Sequence, residues 1–154
     1  MAYKLPNPER ERTERNRELK RLRSKVQPGP ERARRAAELA VAFHEERSIN
    51  DVMALVQLVI DDSEDGVALL METYQRDLRG TEERMERLAM LANVAHWTDL
   101  EALEEASRSE GIAAATTWCA AVDDEMERAE RLSLVERRFD ADLRQAVQAR
   151  LLER

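Results

Sequence analysis

The chain has 154 residues, of which 37% are charged and 4% aromatic, and it contains only four glycines and four prolines. This length and composition predict one ordinary all-α domain, because a β-sandwich would need more turn residues and more β-branched ones. The single cysteine, Cys119, excludes an internal disulfide and favours a reducing compartment. No stretch has the apolar core of a signal peptide or the length of a membrane span, so we expect a cytoplasmic protein without membrane contact.

The net charge of −7 is distributed unevenly. Residues 1–35 hold twelve Lys and Arg against five Glu, whereas residues 36–154 hold thirteen Arg against 27 acidic residues. The two segments therefore carry opposite fields, and only the first favours a polyanionic partner.

The first 27 residues are expected to form a basic helical arm. Asn7 suits an N-cap and Pro8 the first helical position, so a helix should run from there to about Lys25. Its large aliphatic residues are few and form a short stripe at the C-terminal end, so the isolated helix would be marginal in water. We expect the arm to fray unless a partner or the rest of the chain holds it.

A linker separates this arm from the remainder. Two prolines flank a glycine in Gln27-Pro28-Gly29-Pro30, and such a sequence cannot continue a helix. The sequence thus predicts two parts, an arm at 1–27 and a single all-α domain at 28–154. Beyond the linker, Pro30 can start a helix whose apolar face extends to about Arg47.

The stretch Ile49–Ile60 is apolar almost all the way round. From Val52 to Ile60 only Gln57 is polar, and a helix without a polar face belongs in a protein interior. Ser48-Ile49-Asn50-Asp51 resembles a capping box at its start. We predict a compact multi-helix bundle packed around this central helix.

Three further helices follow in chain order. One is predicted from Glu64 to Arg79 with Gly80 after it. The next is predicted to be capped by Thr81 and to bury one apolar stripe, formed by Met85, Leu88, Ala89, Leu91, Ala92 and Ala95. Thr98-Asp99-Leu100-Glu101 is a capping box for a third, short helix that should end between Ser107 and Gly111.

The C-terminal segment has no glycine or proline from Ile112 to Arg154. Its apolar residues recur at helical spacing, which predicts one long C-terminal helix or two helices broken near Asp140.

The basic residues of the first segment are the candidate nucleic-acid contacts. Arginine and lysine side chains can bind phosphates in a sequence-independent, salt-dependent way, although the interleaved glutamates weaken the field. The candidates are Arg10, Arg12, Arg15, Arg17, Lys20, Arg21, Arg23, Lys25, Arg32, Arg34 and Arg35. We therefore expect a non-enzymatic regulatory or assembly protein that acts through helical surfaces, with nucleic acid as one possible partner of the arm and a protein partner as the other.

A structural homo-oligomer is the first alternative. It would pack the apolar stripe of the C-terminal segment against a second copy of the chain. The residues of that interface would be Ile112, Cys119, Val122, Met126, Leu132, Val135, Phe139, Leu143, Val147 and Leu151.

A metal-dependent helical enzyme is the second alternative. Glu83-x-x-Glu86 followed by Glu101-x-x-Glu104 is similar in spacing to the paired acids of helical nucleotide pyrophosphatases, although Glu104 stands where that pattern has Asp. On a helical wheel Glu83 lies opposite the apolar stripe, so this pair would not face a shared cleft. We accordingly expect surface acids, no catalytic residue, no metal and no cofactor.

Overall fold

A computed structural model describes residues 8–46 and 48–153, which form α-helices and no strand, so the all-α prediction is confirmed. The helices are α1 Pro8–Lys25, α2 Pro30–Glu45, α3 Ile49–Asp62, α4 Gly66–Tyr74, α5 Thr81–Trp97, α6 Glu101–Ala120, α7 Glu125–Arg138 and α8 Ala141–Leu152. The predicted cap at Asn7 lies outside the described residues. No described helix has the combination of length and apolar character that a membrane span requires.

Helix contacts divide the chain into two compact units, the first ending at Gly66 and the second beginning at Val67. The predicted boundary after residue 27 falls inside the first unit, because α1 packs against α2 across the linker. That residues 1–27 form a separate arm and residues 28–154 a single domain stays a prediction.

In the first unit, α1 is held by apolar contacts of its C-terminal half and by an ion pair nearer its middle. Leu19 and Leu22 are buried, and Arg15 forms an ion pair with Glu46 beyond the end of α2. These contacts supply the support that the sequence of the arm lacks on its own.

Helix α2 begins as predicted, with Pro30 in its first turn after Gly29, whose φ of 148° favours glycine. It packs against α3, where Val52, Leu55, Val56 and Val59 are buried. Ser48 is the N-cap of α3 as predicted, but its side chain makes no capping hydrogen bond, so the predicted capping box is wrong. The central place of α3 in the whole chain stays a prediction.

The start of the second unit differs from the prediction in its helix ends. Helix α4 has nine residues, Gly66–Tyr74, and is followed by Asp77 in the left-handed region at φ 56°, so it is shorter than predicted. Gly80, and not Thr81, is the N-cap of α5. The residues predicted for the buried stripe of α5 are buried: Met85, Leu88, Ala89, Leu91, Ala92 and Ala95.

Helix α6 does not end near Gly111 but continues to Ala120. Gly111 is buried, and a Cβ placed on it would lie 2.7 Å from Cζ of Phe139. The glycine therefore admits an aromatic ring against the helix instead of ending it. The N-cap of α6 is Leu100 and not Thr98, and no side chain caps the helix, so the capping box predicted at Thr98–Glu101 is wrong.

The prediction of one long C-terminal helix is wrong, whereas the break near Asp140 is confirmed. The segment from Ile112 onward forms the end of α6, then α7 and α8. Asp124 accepts a hydrogen bond from Met126 N–H at 2.9 Å, and Asp140 accepts one from Leu143 N–H at 2.9 Å. Aspartate N-caps thus start new helices without any glycine or proline.

The second unit has its own apolar core, to which α5, α6, α7 and α8 contribute. Its buried members are Met85, Leu88, Ala114, Ala115, Trp118, Cys119, Leu132, Val135, Leu143 and Val147.

Candidate nucleic-acid interface

Helix α1 exposes its polar surface because its apolar residues are confined to one side. Leu19, Leu22 and Val26 follow one another at steps of three and four, so they lie on one stripe of the helix. Burial of Leu19 and Leu22 against the first unit directs every lysine and arginine between positions 17 and 25 into solvent.

Five of the eleven candidate basic residues are engaged in ion pairs. Arg32 donates two hydrogen bonds to the carboxylate of Asp62, the longer at 2.9 Å, and only 13% of its side chain is exposed. The others pair with glutamates, which neutralises their charge locally: Arg10 with Glu14, Arg15 with Glu46, Arg34 with Glu31 and Glu38, and Arg35 with Glu31.

The remaining six candidates have no ion pair among the described residues: Arg12, Arg17, Lys20, Arg21, Arg23 and Lys25. Five of them crowd into the nine residues 17–25, where Glu18 is the only acid. We call Arg17, Lys20, Arg21, Arg23 and Lys25 the cationic surface. Its side chains are exposed, so their charges can bind an anion from solution.

A groove between α1 and α2 adjoins this surface, with a volume of about 330 Å³. Arg17 and Arg21 of the cationic surface line it together with Arg35 of α2. We call it the α1–α2 groove; its other lining residues are Glu14, Glu18, Leu22 and Val26. The packing of two helices has therefore brought together arginines that are far apart in sequence.

Most of the candidate interface residues have a place inside the second unit. Cys119, Leu132, Val135, Leu143 and Val147 are buried in its core, and Ile112, Phe139 and Leu151 pack against that core. Val122 is half-buried, whereas Met126 is 76% exposed. Burial also raises the pKa of the Cys119 thiol, so this group is protonated at neutral pH.

Three of the four acids in the pyrophosphatase-like pattern, Glu83, Glu86 and Glu104, are each bound to a different group. Glu83 accepts a hydrogen bond from Arg79 N–H at 3.0 Å, Glu86 meets Arg138 at 3.4 Å, and Glu104 lies 3.2 Å from His96 Nδ1. The described part of the chain contains no group of three or more His, Cys, Asp or Glu side chains placed to hold a metal ion.

Two arginines have a structural role that was not predicted from the sequence. Arg128 of α7 donates to the carbonyl oxygens of Cys119 and Val122, at 3.3 and 2.6 Å, and Arg131 donates to that of Trp118 at 2.6 Å. The carbonyls of Trp118 and Cys119 belong to the last turn of α6, where they have no partner within the helix, and that of Val122 lies in the turn that follows. The only signal of the two arginines in the sequence is a spacing of three, which is common in charged helices.

Comparison with known proteins found no family that matches this chain, no similar curated protein and no similar solved structure. The described residues form an all-α protein in which helix α1 exposes a cationic surface.

Proposed function

We propose that this is a non-enzymatic cytoplasmic protein that binds nucleic acid through the cationic surface of α1. The observation that carries the proposal is that five basic side chains within nine residues are exposed and have no ion pair among the described residues, on a helix anchored by Leu19 and Leu22. An anchored helix presents these charges together, so little further ordering is needed on binding.

Phosphate groups are the anions that best suit this surface. Exposed lysine and arginine side chains bind phosphates and release condensed counterions, which gives affinity without reading a sequence. No tyrosine, tryptophan or phenylalanine lies between residues 8 and 42, so the helix offers no aromatic ring for stacking on bases. The expected binding is therefore sequence-independent and strongly dependent on salt.

Fluorescence polarisation with a labelled oligonucleotide tests this proposal. For a single strand, up to five phosphate contacts predict a decrease in affinity on the order of a hundredfold between 50 and 200 mM salt. Replacing three of the cations, in R17Q/K20Q/R21Q, should reduce the slope of log K against log salt by about 2.

The matched control is R79Q/R137Q/R150Q, which removes the same charge from exposed residues of the second unit that have no side-chain ion pair among the described residues. This control should keep nearly the full affinity of the wild type. Equal losses in both triple variants would show that net charge alone is responsible, and absence of binding by the wild type would refute the proposal.

A further inference from the structure

The α1–α2 groove combines two kinds of polar group in one small cavity. Arg17, Arg21 and Arg35 supply guanidinium groups, while Glu14 and Glu18 supply carboxylates. The remaining lining is the aliphatic surface of Leu22 and Val26. A ligand that fits this lining needs an anionic group, hydrogen-bond donors and a small apolar body.

The ion pairs decide which of these groups are available to a ligand. Arg35 is bound to Glu31 at 3.0 Å, and Glu14 is bound to Arg10 at 3.5 Å. Arg17, Arg21 and Glu18 have no such pair among the described residues. The groove therefore offers a ligand the guanidinium groups of Arg17 and Arg21 and the carboxylate of Glu18. These three residues lie within about one and a half turns of α1.

The chemistry of these three groups is specific. Guanidinium groups bind phosphate oxygens through paired hydrogen bonds, whereas an ionised carboxylate only accepts hydrogen bonds and repels phosphate. A carboxylate next to phosphate-binding arginines is therefore useful when the same ligand carries a hydroxyl group near its phosphate. Ribose satisfies this condition, because its 2′-hydroxyl is a donor that deoxyribose lacks.

We infer that the α1–α2 groove binds one ribose-phosphate unit of an RNA strand. Arg17 and Arg21 bind the phosphate, Glu18 accepts a hydrogen bond from the 2′-hydroxyl, and the half-buried Val26 contacts the sugar carbons. The volume of about 330 Å³ has room for one such unit. This inference rests on the proposed function and adds a preference for RNA over DNA, for which Glu18 is the specificity-determining residue.

Three labelled strands of twelve nucleotides test the preference by fluorescence polarisation: oligo-uridine RNA, the same strand with deoxyribose, and the same strand with 2′-O-methyl ribose. The wild type should bind the RNA about tenfold more tightly than the DNA, since one hydrogen bond to a charged group distinguishes them. The methylated strand should bind like DNA because its 2′-oxygen has no proton to donate. Equal affinities for RNA and DNA would overturn the inference while leaving the proposed function intact, and no binding of either strand would refute the proposed function itself.

The variant E18A separates hydrogen bonding from charge. Removal of one negative charge should tighten DNA binding, and loss of the acceptor should reduce the ratio of RNA to DNA affinity from about tenfold to about one. E18Q keeps a neutral acceptor oxygen and should retain part of the preference. The control E130A removes an exposed glutamate of α7 and should leave the ratio unchanged. An unchanged ratio in E18A, with a native circular dichroism spectrum, would overturn the assignment of Glu18.

Discussion

Asp140 shows how one side chain can decide where a helix begins. Its carboxylate accepts the Leu143 N–H as the N-cap of α8 and two hydrogen bonds from Arg108, at 2.7 and 3.1 Å. The Arg108 guanidinium and the backbone donor hold the pKa of Asp140 below its usual range. The residue therefore caps α8 and ties the start of that helix to α6.

Substitutions at Asp140 should separate these two roles. D140N keeps an N-cap of equal quality but loses the charge, so we expect a loss of less than about 1 kcal/mol, as for a partly exposed ion pair. D140A loses the cap as well, which should cost about 1 kcal/mol more. Urea unfolding followed by circular dichroism measures both values. Equal stability of D140N and D140A would contradict the capping role.

At the scale of elements, the junction of α6 and α7 depends on side chains of the following helix. Arg128 and Arg131 bind carbonyls in the last turn of α6, and Arg128 also binds that of Val122 in the following turn. The Arg131 guanidinium carbon lies 4.8 Å from the centre of the Trp118 ring. Cations at a helix C-terminus also interact favourably with the helix dipole, and a guanidinium over an indole ring adds a cation–π contact. These contacts fix the turn at residues 121–124.

Removing either guanidinium should destabilise the second unit. R128Q and R131Q each leave carbonyl oxygens at the end of α6 without their donor, which should cost about 1–3 kcal/mol. R137Q on the same helix removes an exposed arginine without an ion pair among the described residues and should change stability by less than about 0.5 kcal/mol. Urea unfolding followed by tryptophan fluorescence reports on this unit, because Trp97 and Trp118 both belong to it. A loss in R137Q as large as in R128Q would contradict this account.

At the scale of the whole molecule, an arginine–aspartate pair joins the helices of each unit. Arg32 near the start of α2 binds Asp62 at the end of α3, and Arg108 of α6 binds Asp140 before α8. Hydrogen bonds from arginine lower the pKa of both aspartates. As the pH falls below about 4–5, the unfolded chain takes up protons at these positions before the folded chain does. The stability that these pairs contribute is thus present at neutral pH and is lost in acid.

The double variant R32Q/R108Q should depend less on pH than the wild type. Without the guanidinium groups the two aspartate pKa values move upward, so the free energy of unfolding should fall less between pH 7 and pH 3. The measurement is urea unfolding at both pH values by circular dichroism. R137Q/R150Q serves as the control with the same change of charge, and its pH dependence should match that of the wild type. If the free energy of unfolding of R32Q/R108Q fell between pH 7 and pH 3 as much as that of the wild type, other carboxylates would be responsible for the loss of stability in acid.

The helical class and most buried faces could be predicted from the sequence because helical periodicity is a local property. The stripe of α5 from Met85 to Ala95 is an example, as is the start of α2 at Pro30. Helix ends were less predictable. Gly111 looks like a stop signal in sequence, yet it lies inside α6 because Phe139, 28 positions away, packs against it. Only tertiary structure brings such distant residues into contact.

The sequence alone determined the charge of the first segment and the apolar stripe of α1, since both follow from residue identity and helical spacing. It could not show that Arg15 and Arg32 are engaged in ion pairs, because the carboxylates of their partners Glu46 and Asp62 lie far along the chain. The α1–α2 groove could not be predicted from the sequence either, because it forms only when helix packing places Arg35 beside Arg17 and Arg21. Composition sets the field of a surface, but helix packing decides which charges remain available to a ligand.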